Sequence, residues 1–123
     1  MAYASSFDRF VCADDTIQAD VDGFTVTARI VHDESTRPDD FDCYDDASVA
    51  AWRDDDWFYC GVCVQVSRAG IDLTGPYGAA IWGVEANFPG SDNAYLTEIA
   101  TDLIPEAIAE ARAAMARLVA DTN

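Results

Sequence analysis

The stretch WFYCGVCVQVSR, residues 57–68, decides the fold of this chain. Read with a period of two, Phe58, Cys60, Val62, Val64 and Val66 fall on one face, and Trp57, Tyr59, Gly61, Cys63, Gln65 and Ser67 on the other. That is the pattern of a strand in a sheet with one buried face. Ala80, Trp82, Val84, Ala86 and Phe88 repeat the alternation. Both runs are rich in valine and aromatic residues, which suit a pleated surface. The block from Trp57 to Phe88 is therefore the expected core.

Upstream of this block, Asp22-Gly23 sits between two alternating runs within Thr16 to His32. A two-residue type I′ turn needs positive φ at both central residues, and this dipeptide supplies it. The turn would set Val21 opposite Phe24, Ala19 opposite Val26 and Ile17 opposite Ala28, all apolar pairs, so register and core face agree. Met1 to Asp15 is an arm with no clear pattern.

Downstream of Arg68, Ala69-Gly70 reads as a turn, Ile71 to Leu73 as a short return strand, Thr74 to Gly78 as a loop and Ala79 to Asn87 as a strand. Pro89-Gly90 ends that strand, and Ser91, Asp92 or Asn93 can cap a final helix. Its apolar stripe runs through Leu96, Ile99, Leu103, Ala107 or Ile108, Ala111, Met115 and Leu118, and Pro105 predicts a kink or break near Asp102. The expected fold is one α+β domain, a four- or five-stranded antiparallel sheet. A long C-terminal helix and a short middle helix pack on one face, in the order β-β-α-β-β-β-α.

Charge is the unusual feature. Among 123 residues, 23 are Asp or Glu and 7 are Arg, with no Lys, for a formal net charge of -16. Such a surface repels nucleic acid and anionic lipid and attracts basic partners. The segment Asp33 to Asp56 carries half of it, ten acids against Arg37 and Arg53. Within it, Asp46 can cap a short helix through Ala47, Val49, Ala50 and Trp52. Asp54, Asp55 and Asp56 would end that helix early, because acids at a C-terminus oppose the helix dipole.

Glu98, Asp102, Glu106 and Glu110 recur every four residues and so form one row along the last helix. Neighbours in such a row lie roughly 6 Å apart and each like-charged pair costs about 0.2 to 0.5 kcal/mol. A row of that spacing resembles the phosphates of a nucleic-acid strand; the plain alternative is a solvated helix face.

Other chemistry is weakly supported. Cys60 and Cys63 form a CxxC, yet residues three apart on a strand point to opposite faces and cannot grip one metal. Four scattered cysteines do not make a disulfide framework. Asp39, Asp40, Asp42, Asp45 and Asp46 offer oxygens to calcium but lack the order of a calcium-binding loop. His32 has no nucleophile placed beside it by sequence, and Gly75-Pro76-Tyr77-Gly78 lacks the lysine of a phosphate loop. Trp52, Trp57, Tyr59 and Trp82 suit an aromatic core or a protein contact better than a stacking surface for bases. No enzyme, cofactor or metal site is expected. No apolar run approaches the roughly 20 residues a membrane span requires, and no charged segment followed by an apolar run opens the sequence, so a cytoplasmic protein is expected.

Ile81-Trp82-Gly83-Val84-Glu85, Asp92-Asn93-Ala94-Tyr95-Leu96 with the acidic helix, and the strand from Asp56-Trp57 to Val66 resemble small acidic proteins carried by phages and mobile elements of GC-rich bacteria. The resemblance covers roughly the C-terminal half; the group has no assigned activity and assigns no residue roles. Small acidic proteins of such origin are often inhibitors that imitate DNA. The first expectation is therefore an anti-restriction or anti-CRISPR inhibitor that occupies the basic groove of a nuclease. Its contact residues would be Asp39, Asp40, Asp42, Asp45, Asp46, Asp54, Asp55 and Asp56 together with Glu98, Asp102, Glu106 and Glu110. Two alternatives stand beside it: an adaptor binding through a sheet face around Tyr59, Gln65, Glu85 and Asn87, and a halophilic domain whose charge serves solubility. A homodimer stays open.

Overall fold

A computed structural model of the chain describes residues 3–121. Met1 and Ala2 of the expected arm lie outside the described residues, as do Thr122, Asn123 and the side chains of Asp40, Ala120 and Asp121.

Strands β1 (Thr16–Val21) and β2 (Phe24–His32) form the expected hairpin, with φ of 53° at Asp22 and 84° at Gly23. Val21 pairs with Phe24, Ala19 with Val26 and Ile17 with Ala28, and all six side chains are buried. β2 then pairs antiparallel with β3 (Phe58–Arg68), which sets Val26 against Val66, Ala28 against Val64 and Ile30 against Val62. The other edge of β3 is shared by the two-residue β4 (Ile71–Asp72) and by β5 (Ala79–Ala86). β3 is thus the centre of a five-stranded antiparallel sheet, as its apolar density implied.

β5 departs from the simple alternation expected of it. Cys60 pairs with Val84 but Val62 pairs with Ile81, so β5 carries one extra residue opposite Gly61. Gly83 takes φ +72° there, a backbone state that suits glycine. The bulge reverses which side chains face which way. Val84 and Ala86 join the core on the side of Cys60, whereas Trp82 lies over Gly61 on the opposite side. The expected single stripe from Ala80 to Phe88 is therefore broken at the bulge.

The C-terminal helix is bent into α2 (Ala94–Asp102) and α3 (Ile104–Asp121). Pro105 has no amide to donate, while Leu103 and Ala107 keep their bonds to Ile99 and Leu103, so the helical phase carries through the bend. Leu96, Ala100, Leu103, Ile104, Ala107, Ile108 and Ala111 pack on the face of β3 that carries Cys60, Val62, Val64 and Val66. Ile99 and Met115 are partly buried; Leu118, expected in the stripe, is 58 % exposed. The short α1 (Asp46–Arg53) makes its contacts from the side of Trp57 and Tyr59.

The arm is ordered by hydrogen bonds rather than by pattern. Ala4 N–H donates to Gln18 O at 2.8 Å, the Tyr3 hydroxyl to Ala100 O at 3.0 Å, and Phe7 N–H to Thr97 Oγ1 at 3.0 Å. Phe7 and Val11 are buried in the core cluster. Among the described residues, no helix is long and apolar enough to cross a membrane.

Candidate acidic interface

The acidic segment before β3 is held down by aromatic rings. The Trp57 indole N–H donates to Ser48 O in α1 at 2.9 Å, and the Tyr44 ring lies 5.4 Å from that of Trp57 and 6.0 Å from that of Phe88. Tyr59 meets Trp57 edge-on at 5.1 Å and lies 6.3 Å from Phe41. The Tyr44 hydroxyl donates to Glu85 Oε2. Burial and this bond to a carboxylate both push the Tyr44 pKa up, which keeps the hydroxyl protonated as a donor. A second, smaller core thus forms on the side of the sheet opposite α2 and α3. Of the residues of the expected adaptor face, Tyr59 is 1 % exposed, whereas Gln65, Glu85 and Asn87 are half-exposed, with Glu85 engaged by Tyr44 and Asn87 bonded to Val11.

On this platform the acids point outward. Asp39 in the turn Pro38–Asp40, Asp42, Asp45, Asp46, Asp54, Asp55 and Asp56 are all exposed; the side chain of Asp40 lies outside the described residues. Four of them do local work. Asp45, not Asp46, is the N-cap of α1: its Oδ1 accepts from Ser48 N–H at 2.8 Å, and hydrogen bonds from Ser48 hold its carboxyl below the usual carboxylate range. Asp39 Oδ2 lies 3.8 Å from Arg37 Nη2, whose guanidinium stacks on Trp52 at 5.0 Å. Asp54 is the C-cap of α1 and Asp55 takes φ 62°, which turns the chain into β3.

Asp33, counted among the acids of this segment, has a different role. It is buried, and its carboxylate accepts from Ser35 N–H at 2.9 Å, Thr36 Oγ1–H at 2.8 Å and Gly83 N–H at 2.9 Å. Burial alone would raise its pKa, but the donors from Thr36, Ser35 and Gly83 outweigh that and hold it below 3.8. The carboxylate thereby ties the end of β2 to the bulge of β5 across β3. His32 next to it has Nδ1 3.7 Å from Glu34 Oε1 and its ring 5.4 Å from Phe58.

The second acidic element is the helix row. Glu98 and Asp102 on α2 and Glu106 and Glu110 on α3 are all exposed, and the preserved helical phase keeps them in one line through the bend. Ion pairs among the described residues are His32 with Glu34, Arg37 with Asp39 and Arg112 with Asp22. None of the four row acids has a cation within 4.0 Å. The row lies on the outer side of α2 and α3, whereas the 39–56 acids lie on the far side of the sheet. The structure keeps the two elements apart; they do not flank a common face.

Cys60 and Cys63 are both free and buried, and they face opposite sides of β3, with Cys60 alone in the main core cluster. Burial pushes their thiols up, to about 12 and about 11. Sequence reasoning missed Asp33 and the pair Asn87 and Asn93; only the positive φ favoured by asparagine at the ends of the 87–93 loop hinted at the latter. Comparison with known proteins found no matching family model, no similar curated protein and no similar solved structure.

Proposed function

We propose that this protein is a cytoplasmic, non-enzymatic inhibitor that presents a nucleic-acid-like line of carboxylates to the basic groove of a nucleic-acid-binding protein, such as a restriction or CRISPR nuclease. One observation supports this role above others: Glu98, Asp102, Glu106 and Glu110 stand exposed in one i, i+4 row that continues through the bend at Leu103, and among the described residues none of them has a cation within 4.0 Å. Four uncompensated charges in a line raise the local negative potential, and their roughly 6 Å spacing suits side chains that normally meet phosphates. Each neighbouring pair in that arrangement repels, which costs folding energy rather than adding to it. The 39–56 acids form a separate patch, so a partner's groove engages the helix row first and the far patch adds long-range attraction.

The test is capture of basic nucleases by the immobilised protein at rising salt, with nuclease inhibition as a second readout. Capture should fall steeply with salt and disappear when Glu98, Glu106 and Glu110 become Gln and Asp102 becomes Asn. Neutralising Asp54, Asp55 and Asp56 instead should slow association and leave most of the affinity. Capture that resists salt, or that survives loss of the row, would overturn the role.

A further inference from the structure

We infer that the edge of the sheet formed by β4 and β5, together with the end of α3, is a self-association surface that takes a second copy of this chain. Eight large hydrophobic side chains are exposed among the described residues, and six of them are Ile71, Tyr77, Ile81, Trp82, Leu118 and Val119. Ile71, Tyr77 and Ile81 belong to β4, the loop after it and β5, and Leu118 and Val119 to the end of α3 beside β4, whereas Trp82 lies on the opposite face over Gly61. A groove runs between Ile71 and Leu73 on one side and Met115, Leu118 and Val119 on the other, and a second groove, sharing Leu73, continues past Tyr77. The Tyr77 ring then packs edge-on against Trp82 at 5.5 Å. Concentrated apolar exposure of this kind marks a contact surface rather than the scattered hydrophobic residues of an ordinary exterior.

Two features identify the occupant as a second copy. The twelve residues from Leu73 to Val84 carry no charge in a chain of net charge -16, so this is the part of the surface where two such chains meet with least repulsion. Among the described residues β5 pairs with β3 alone; residues 79–84 of its other edge carry none of the charged side chains that normally prevent strands from meeting, and beyond them Glu85 O accepts from the Tyr95 hydroxyl. Glu85, the one charge in β5, is engaged by Tyr44. At the rim, Arg68 lines the first groove, and Arg117 and Glu110 line the second, so both signs of charge border the surface. A two-fold axis brings opposite members of such a set together, which a self-complementary interface requires. A basic partner would find little here to neutralise.

The experiment is sedimentation equilibrium of the full chain, alone, across protein concentration and salt. A species of twice 13.3 kDa is expected, and its formation should strengthen with salt as repulsion between the chains is screened. Binding of a basic partner should weaken with salt, so the two claims fail independently. Ile81→Glu and Leu118→Glu, both at exposed positions, should each weaken the dimer by about tenfold or more. Far-UV circular dichroism and a melt confirm that each variant is folded; should Ile81→Glu not be, Leu118→Glu at the end of α3 carries the test. A monomer at every concentration in high salt, or a dimer that a folded variant leaves unchanged, would overturn the inference.

Discussion

Asn87 and Asn93 hold each other through two hydrogen bonds: Asn87 N–H donates to Asn93 Oδ1 at 2.9 Å, and Asn93 Nδ2–H donates to Asn87 Oδ1 at 2.8 Å. Both residues take positive φ, 62° and 64°. The pair reaches outward to the arm, since Asn87 exchanges bonds with Val11 N–H and O at 2.8 Å each, and Asn93 Nδ2–H donates to Arg9 O at 2.9 Å. Asn93 also precedes α2 but leaves the capping to others, as its side chain turns inward. One amide pair, Asn93 buried and Asn87 half-buried, thus joins the end of β5, the start of the final helix and the N-terminal arm.

Asn93→Ala should destabilise the fold by about 1 to 3 kcal/mol, because it leaves buried partners unpaired and puts a Cβ-bearing residue without asparagine's tolerance at φ 64°. Asn93→Gly separates the causes: it relieves the backbone and still loses the bonds. Urea unfolding measures both, and limited proteolysis should cut residues 3–11 faster in each. Equal stability of Asn93→Gly and the parent would show that the amide network contributes nothing.

Gly61 lies directly beneath the Trp82 ring, where a Cβ would come within 2.5 Å of Trp82 Cε3. Gly61→Ala should cost about 1 to 3 kcal/mol through that overlap and displace the indole. In a Trp82→Ala background the same substitution should cost far less. A double-mutant cycle by chemical unfolding, with Trp fluorescence reporting the ring, checks the coupling; additive effects would refute it.

Asp33 has its carboxyl pKa held below 3.8 in the folded chain. A depressed carboxylate stabilises the fold above the unfolded-state value and loses that contribution as pH falls through the lower folded value. Other acids titrate in the same range, so the comparison that isolates Asp33 is parent against Asp33→Asn. The stability gap between them should be full near neutral pH and narrow steadily below about pH 3.8. Melts from pH 7 downward read it, and a gap constant with pH would contradict the assignment.

Neutralising Glu98, Asp102, Glu106 and Glu110 together should stabilise the protein at low salt by roughly 1 kcal/mol, from three relieved neighbour repulsions. The same variant is the one expected to lose its basic partner, so stability and binding move in opposite directions. The stabilisation should fade as salt approaches a few hundred millimolar, about where screening shortens below the spacing of the charges. A parent melting temperature that goes on climbing steeply into molar salt would instead point to a halophilic surface.

The residues alone determined the sheet and much of its register. Period-two patterning in Ile17 to Val31 and Phe58 to Val66, with Asp22-Gly23 between β1 and β2, admits one hairpin register, because a one-residue slip would turn every apolar side chain outward. Pro105 likewise determined the bend, since a missing amide acts locally wherever the helix lies. The exposure of the acid row followed from its four-residue spacing opposite an apolar stripe. What tertiary structure decided was everything that depends on partners distant in the chain. The bulge that turns Trp82 over Gly61 arises where Asp33 reaches Gly83 from fifty residues away. The arm is ordered by asparagines more than seventy residues downstream. The side of the sheet taken by the acidic segment was settled by Tyr44 finding Glu85 and Trp57. Periodicity reports which face of an element is apolar; it carries no information on which distant group will satisfy a buried donor, and here those donors set the two acidic elements on opposite sides.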